Sequence, residues 1–121
     1  MVQKTEITIG LKYHKLKQAL LNIVINACQS MENSSSKELF VSTYQNDKSQ
    51  VCVEIQDTGL GISKDGLRKI FEPFHTTKPK GTGLGLAITH KILESHQASI
   101  EVESEVGTGT RFILKFPLEV K

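Results

Sequence analysis

Two glycine-rich turns lie within thirty residues of each other in this chain. The first runs Asp57-Thr58-Gly59-Leu60-Gly61-Ile62, and the second runs Lys80-Gly81-Thr82-Gly83-Leu84-Gly85-Leu86. Glycine is favoured where the backbone takes positive φ or where a ligand must come close to main-chain N–H groups. The first turn opens with an acid and the second leads into an apolar helical run. Together they predict a phosphate-bearing ligand, held by backbone at one end and recognised by a carboxylate at the other.

Asp57 follows a run of alternating apolar residues and opens the first turn. At the end of a strand its carboxylate can accept a hydrogen bond from an exocyclic amine, which would select adenine. The plainer alternative is an aspartate that starts an ordinary turn. The two glycines that follow, Gly59 and Gly61, favour the floor of a binding pocket, because an ordinary turn rarely needs both.

The second turn does not match the better-known phosphate loops. It lacks the Gly-Lys-Ser/Thr ending of a Walker A loop, and Gly85 comes one residue too early for a dinucleotide fingerprint. It instead indicates a mobile loop leading into a helix N-terminus, where free N–H groups and the helix dipole favour anions. Lys78 and Lys80 lie just upstream and could add positive charge for phosphates. A solvated loop is the alternative interpretation, and it is favoured for Lys80.

A narrow polar stripe runs along the first predicted helix. Its members are Lys15, Gln18, Asn22, Asn26 and Gln29. Four of them are neutral amides, and Asn22 and Asn26 lie one above the other on the helix surface. An amide oxygen suits Mg²⁺, which takes few protein ligands and completes its shell with phosphates and water. The alternative is that the two asparagines satisfy loop backbone; the neighbouring glycine turns favour the metal.

Helical and strand-like periodicities alternate around these turns. A helix is predicted from about His14 to Met31; it is apolar nearly all round and should be largely buried. A short helix capped by Ser63 runs from about 64 to 71, and another follows from about 83 to 95. Alternating segments predict two hairpins, formed by strands near residues 39–44, 51–56, 99–105 and 110–116, with a further short strand at 5–11. Residues 1–121 therefore read as one α+β domain, with helices on one face of a mixed or antiparallel sheet.

Composition excludes several classes of function. A net charge of +2 with scattered lysines argues against contact with nucleic acid or a membrane surface. No apolar stretch reaches the roughly eighteen residues of a membrane span, and the N-terminus lacks a signal-peptide core, so a cytoplasmic domain is predicted. A membrane-anchored parent protein is compatible with this prediction. Cys28 and Cys52 are predicted to be buried free thiols, with a disulfide as the less favoured alternative.

The chain resembles the catalytic ATP-binding domain of sensor histidine kinases over roughly residues 14–117. Each of the family's boxes is modestly specific alone, but here five occur in order. The matching segments are Asn22-Ile23-Val24-Ile25-Asn26-Ala27 (N box), Asp57-Thr58-Gly59-Leu60-Gly61 (G1), Phe71-Glu72-Pro73-Phe74 (F), Gly81-Thr82-Gly83-Leu84-Gly85-Leu86 (G2) and Gly107-Thr108-Gly109-Thr110 (terminal glycine box). The resemblance implies the Bergerat fold of the GHKL superfamily, a two-layer α/β sandwich with a mixed, mostly antiparallel sheet, and binding of Mg·ATP.

The resemblance also implies roles for individual residues. Asn26 would ligate Mg²⁺ with Asn22 assisting, Asp57 would hold the adenine amine beside Gly59 and Gly61, and Thr110 would support that contact. The lid would be anchored by Phe71 and Phe74 and would reach phosphate through Lys78, with its glycines letting it close and reopen. The implied catalytic residues are Asn22, Asn26 and Lys78. The implied nucleotide-binding residues are Asn22, Asn26, Asp57, Gly59, Gly61, Ile62, Phe71, Phe74, Thr77, Lys78, Gly81, Thr82, Gly83, Leu84, Gly85, Leu86 and Thr110.

The implied activity is that of a protein histidine kinase. It would transfer the γ-phosphate of ATP to a histidine on a separate dimerisation domain, for relay to an aspartate of a response regulator. None of the four histidines, at positions 14, 75, 90 and 96, has the setting of that phosphoacceptor. The chain is therefore expected to be the catalytic part of a larger kinase, monomeric alone and homodimeric at full length. The stretch before the N box is shorter than usual, which leaves truncation of that edge open.

Several positions depart from the family's pattern. Hydrolysing relatives carry a glutamate where this chain has Asn22, and an amide cannot act as a base, so transfer is favoured over hydrolysis. A basic residue common after the metal-binding asparagine is replaced by Gln29, and a common glycine pair is replaced by Gln97-Ala98, an expected turn variant. Two alternatives stay open: an ATPase of the same superfamily, and a degenerate nucleotide sensor or docking module.

Overall fold

Three helices and four strands make up the part of the chain that the computed structural model describes, residues 13–72 and 85–117. In order they are α1 (Tyr13–Ser30), β1 (Leu39–Gln45), β2 (Gln50–Asp57), α2 (Lys64–Lys69), α3 (Gly85–Ser95), β3 (Ser99–Glu105) and β4 (Gly109–Pro117). These bounds confirm the predicted order of elements. The strand predicted at residues 5–11 and the lid segment at 73–84 lie outside the described residues.

The four described strands form one antiparallel sheet in the order β1-β2-β4-β3. Both predicted hairpins are confirmed, since β1 pairs with β2 and β3 pairs with β4. The two central strands, β2 and β4, align Val51 with Phe116 and Ile55 with Phe112. Because side chains alternate across a strand, the same register carries on to a last inward-facing pair, Asp57 with Thr110. An apolar row thus ends in a polar pair.

The core lies between this inner face of the sheet and the helices, as a two-layer α+β fold requires. Ile23 of α1 and Leu93 of α3 are almost fully buried, and they join a cluster with Ile55, Phe112 and Leu114 of the sheet. Burying a side chain of this size contributes about 1.5–3 kcal/mol relative to exposure. The sheet, α1 and α3 are therefore held as one unit, which fixes the positions of Asp57 and Thr110.

The outer face of the sheet mixes polar with apolar side chains and carries cross-strand ion pairs. Arg111 of β4 lies between Glu54 and Glu103, and Lys115 of β4 contacts Glu101 at 2.9 Å. A hydrogen bond to Glu103 raises the pKa of Arg111, and one to Glu101 raises the pKa of Lys115. This pattern is typical of an antiparallel sheet with one solvated face, so the helices are confined to the other side.

Helix α1 is less buried than its sequence predicted. Leu21 is 52% exposed and Ile25 is 44% exposed, while Ala19, Ile23 and Ala27 on the opposite side are buried. The prediction of a largely buried helix was wrong because the sheet and α3 cover only part of its circumference among the described residues. Cys28 lies on this exposed side, so the prediction of a buried thiol holds for Cys52 alone. None of the helices in the described ranges is long and apolar enough to cross a bilayer.

The ends of the shorter helices follow local rules. The side chain of Ser63 accepts a hydrogen bond from the N–H of Gly66 at 3.1 Å and caps α2, as predicted. Helix α3 ends in a turn in which the N–H of Ala98 donates to the carbonyl of Leu93 at 2.8 Å, with Gln97 at φ +58°. Gln97 thus takes the left-handed position that glycine usually fills, and Gln97-Ala98 is the expected turn variant.

Candidate functional site

Asp57 is the buried acid at the end of β2. It is only 1% exposed, and its Oδ1 accepts a hydrogen bond from the N–H of Gly59 at 2.8 Å. Thr110, its cross-strand partner on β4, is 3% exposed. A buried carboxylate costs several kcal/mol of desolvation unless hydrogen bonds compensate it. The Gly59 N–H offsets part of that cost and orients the carboxylate as an acceptor. The role of Asp57 in recognising adenine stays a prediction.

The first glycine turn is packed against backbone on both sides. A Cβ at position 59 would clash with the side chain and carbonyl of Ser30, and a Cβ at position 61 would clash with the carbonyl of Glu105. Gly61 also has φ +76°, which disfavours any residue with a side chain. Both glycines are thus needed for protein contacts. That they also leave room for an adenine ring stays a prediction.

Hydrogen bonds tie this turn to two other elements. The N–H of Leu60 donates to the carbonyl of Ser30, at the end of α1, at 3.2 Å. On the other side the N–H of Gly107 donates to the carbonyl of Leu60 at 2.8 Å, and the N–H of Ile62 donates to the Ser104 hydroxyl at 2.7 Å. The turn that follows Asp57 is therefore fixed between α1 and the β3–β4 hairpin.

Replacing Gly61 with alanine is expected to destabilise the domain by roughly 3 kcal/mol, from left-handed strain plus overpacking. Gly107 is the matched control: it has φ +86°, but a Cβ there meets nothing within 4 Å. Gly107→Ala should cost only the strain, about 1–2 kcal/mol. Urea denaturation of both variants measures the difference, and equal losses would contradict the assigned contact with Glu105.

The terminal glycine box brings the start of β4 against Asp57. Gly109 has φ +141°, and a Cβ on it would clash with the Asp57 carbonyl. Glycine therefore lets the two strand ends approach, which brings Thr110 level with Asp57. The Thr110 hydroxyl lies 2.8 Å from that of Ser104, whose Oγ also donates to the carbonyl of Gly109 at 2.9 Å.

Asn22 links α1 to the start of α3. Its Nδ2 donates to the carbonyl of Gly85 at 3.2 Å and to the hydroxyl of Thr89 at 3.3 Å. Because a carbonyl can only accept, the amide nitrogen must face Gly85, and this leaves Oδ1 as the acceptor atom of the side chain. The link holds the N-box helix against the helix N-terminus that the second glycine turn leads into. Asn26, one turn further along α1, is half-buried.

The side chains near Asn22 and Asn26 could hold a magnesium ion only if water and phosphate oxygens supply most of its ligands. Among the described residues, no group of three or more His, Cys, Asp or Glu side chains could hold a metal. Mg²⁺ prefers oxygen ligands and keeps several waters and phosphate oxygens when protein ligands are few. Amide oxygens on α1 are compatible with Mg²⁺ bound in this way. The assignment of Asn26 as a metal ligand stays a prediction.

Phe71 of the F box packs on α3 at the start of the lid. Its ring stacks on that of His90 with centroids 5.0 Å apart, and His90 Nδ1 lies 2.8 Å from Glu94. This contact gives His90 a structural role, and the role of Phe71 as a lid anchor stays a prediction. Ile62 and Leu86 are half-buried against the core. The remaining predicted lid residues lie outside the described residues: Phe74, Thr77, Lys78, Gly81, Thr82, Gly83 and Leu84.

Three polar residues that were not predicted from the sequence also accept hydrogen bonds that hold the site together. The hydroxyl of Ser30 accepts a hydrogen bond from the N–H of Leu60, and that of Thr89 accepts one from the amide of Asn22. The hydroxyl of Ser104 accepts one from the N–H of Ile62. Thr89 is fully buried on α3. Ser104 continues the inward-facing row of Ile100 and Val102, so a hydroxyl at the end of an apolar alternation was the available signal.

Residues 12–120 match the family model described as histidine kinase-, DNA gyrase B-, and HSP90-like ATPase. Sporulation kinase E of Bacillus subtilis is 42% identical over 105 residues, which cover 87% of this chain and 14% of that protein. The nucleotide-free catalytic domain of histidine kinase ThkA is 32% identical with a TM-score of 0.80, covering 97% of this chain and 75% of that one. Full-length ShkA in complex with AMPPNP is 30% identical with a TM-score of 0.75, covering 88% of this chain and 22% of that one. The chain thus spans only a small part of these curated relatives, 14% of sporulation kinase E and 24% of sporulation kinase C of Bacillus subtilis.

Proposed function

This chain belongs to the histidine kinase-, DNA gyrase B-, and HSP90-like ATPase family and is homologous to sensor histidine kinase catalytic domains, and we propose that it binds Mg·ATP for phosphoryl transfer to a histidine. The acceptor histidine would lie on a separate dimerisation domain of the parent kinase. A response-regulator aspartate would then take the phosphate. That parent would be a homodimer, as the resemblance to sensor kinases implies.

The observation that carries the proposal is the buried Asp57 at the fixed end of β2. Its carboxylate is oriented by the Gly59 N–H, faces inward beside Thr110, and sits next to a turn tied down on both sides. A carboxylate accepts from an amine more strongly than a neutral acceptor does, which favours the 6-amino group of adenine. Complex formation of the related ShkA with AMPPNP supports a nucleotide in a fold of this kind.

The phosphate end would be built from α1 and the start of α3. Asn22 holds the two helices together, and the N–H groups at the α3 N-terminus favour an anion. Asn26 would hold Mg²⁺, with Lys78 of the lid contributing positive charge to the phosphates. Bound Mg²⁺ would neutralise the charge that develops during transfer. Asn22 and Asn26 then act by positioning, which supplies most of the catalysis in phosphoryl transfer.

Hydrolysis is the competing enzymatic function, and Asn22 argues against it. A hydrolysing relative would need a base at this position, whereas the amide has no basic atom and its nitrogen is engaged with Gly85 and Thr89. Substituting glutamate would bring a carboxylate next to the Gly85 carbonyl, which has no proton to offer. The contacts of Asn22 thus favour a holding role over activation of water.

Calorimetric titration tests the proposal directly. ATP is expected to bind saturably and more tightly with Mg²⁺ than with EDTA, and GTP is expected to bind far more weakly. Adding a histidine-bearing dimerisation domain from a related kinase should then give acid-labile labelling of that domain from γ-labelled ATP. If the folded protein does not bind ATP at millimolar concentration, the domain is a docking module and the proposal is wrong. Multiple turnovers of ATP without an acceptor would replace it with an ATPase.

A further inference from the structure

The Ser104 hydroxyl is a junction of three polar groups beside the Asp57 end of the sheet. It lies 2.7 Å from the N of Ile62, 2.9 Å from the carbonyl of Gly109 and 2.8 Å from the hydroxyl of Thr110. Ser104 is on the inner face of β3, directly across from Thr110 on β4. One side chain therefore connects the first glycine turn, the terminal glycine box and the cross-strand partner of Asp57.

The protons in this junction can be assigned from donor and acceptor chemistry. A backbone N–H can only donate and a carbonyl can only accept, so Ile62 gives a proton to Ser104, and Ser104 gives its single proton to Gly109. The contact with Thr110 then holds a hydrogen bond only if Thr110 is the donor. The opposite direction would leave the Ser104 and Gly109 oxygens facing each other without a proton. One assignment thus satisfies all three contacts.

This assignment makes Thr110 an acceptor toward the base. Its only proton is committed to Ser104, so what remains on Thr110 is lone pairs. Asp57, on the neighbouring strand, likewise offers acceptor oxygens when ionised. A 6-amino group carries two donor hydrogens and suits such a pair, whereas a 6-keto oxygen would meet only acceptors. Polar groups that cannot be paired in a buried site cost more than a missing contact does.

Resting on the function proposed above, we propose that Ser104 is a positioning residue for base selection, which fixes the Thr110 hydroxyl as an acceptor and so discriminates 6-amino from 6-keto purine nucleotides. Ser104 need not touch the nucleotide to do this. It acts through the direction of one hydrogen bond. The Ile62 N–H supports that direction by occupying a lone pair of the serine oxygen.

Ser104→Ala tests the inference through the ratio of ATP affinity to inosine triphosphate affinity. Inosine triphosphate carries a keto oxygen where ATP carries the 6-amino group. Without Ser104 the Thr110 hydroxyl can turn and donate to that oxygen, so the ratio should fall about tenfold, the worth of one hydrogen bond made or lost. Ser99→Ala, at the far end of the same strand on an exposed position, is the matched control and should leave the ratio unchanged.

A double-variant cycle shows whether Ser104 acts through Thr110. In a Thr110→Val background the added Ser104→Ala change should leave the ratio where Thr110→Val alone puts it, because the shared hydroxyl is gone. An equal further fall in that background would overturn the inference. Ser104→Cys keeps the side-chain size with only a weak donor, so it should also lower the ratio and serves if the alanine variant does not fold.

The two proposals fail in distinguishable ways. If the wild-type domain binds neither nucleotide, the proposed function is wrong, and the inference on base selection falls with it. If the wild type prefers ATP and both folded Ser104 variants keep that preference, the function stands and the role of Ser104 is overturned. A general loss of affinity for both nucleotides at an unchanged ratio indicates a purely structural role and also overturns it.

Discussion

Asp57→Asn should weaken ATP binding at least about a hundredfold while the domain stays folded. Asparagine keeps an oxygen that can accept from the Gly59 N–H, so the turn retains its local bond. It replaces the other carboxylate oxygen with an NH₂ group, which cannot accept from the adenine amine. Loss of a charged hydrogen bond, together with an unpaired amine in the site, accounts for about 3–4 kcal/mol. Calorimetric titration with ATP measures the change.

Glu54→Gln is the control for that experiment. Glu54 belongs to the same strand, but it lies on the outer face, where it pairs with Arg111 at 3.4 Å. Its neutralisation removes the same charge from β2 without touching the inner face, so ATP affinity should stay within about twofold. Thermal unfolding of both variants verifies the fold. ATP affinity near that of the wild type in a folded Asp57→Asn variant would refute adenine recognition by this carboxylate.

Local patterns were sufficient to place Asp57. The alternation of Val51, Val53 and Ile55 predicts a strand, and Asp57 has the same parity as these residues, which the structure turns inward. The second hairpin is predicted in the same way, and its terminal glycine box leads directly to Thr110. Asp57 and Thr110 then lie opposite each other because of the antiparallel register of β2 and β4, which the structure shows. The acid was therefore identifiable because it ends a periodic strand and is followed directly by the turn with Gly59 and Gly61.

Contacts between distant segments could not be predicted in this way. Gly59 and Gly61 are recognisable as special, yet the reason for them is the approach of Ser30 and Glu105, which depends on how α1 and the β3–β4 hairpin meet the turn. The same limit explains the error on α1. Leu21 and Ile25 are apolar, but their burial depends on whether another element covers that side. A helical wheel gives the direction of a side chain and says nothing about its neighbour.

Asn22 and Asn26 belong to one motif but are assigned different roles. Both lie in the amide stripe, four residues apart, and sequence reasoning assigned both to the metal and phosphates. The Asn22 amide nitrogen donates to Gly85 and Thr89, so Asn22 also links α1 to α3. The Asn22 Oδ1 remains an acceptor, so the resemblance still assigns the metal to Asn26 with Asn22 assisting. This division makes the Mg²⁺ dependence of binding the property to measure at Asn26.

Asn26→Ala is expected to abolish most of the gain in ATP affinity that Mg²⁺ provides. Changes in residues that merely support metal ligands cost about 10–100-fold in metal affinity, so loss of a direct ligand should cost at least about tenfold. ATP titrations in Mg²⁺ and in EDTA give the gain as a ratio, which should approach one in the variant. Affinity in EDTA should change little, because the adenine contacts at Asp57 are untouched.

Gln18→Ala separates the metal role of Asn26 from the general effect of losing an amide on α1. Gln18 belongs to the same stripe but is exposed, so its removal should leave the Mg²⁺ gain intact. Asn26→Asp adds a further distinction: the carboxylate can still bind the metal, but its charge opposes the phosphates. ATP should therefore bind this variant more weakly in EDTA than it binds Asn26→Ala. A full Mg²⁺ gain in folded Asn26→Ala would remove Asn26 from the metal site and leave Asn22 Oδ1 as the amide acceptor on that row.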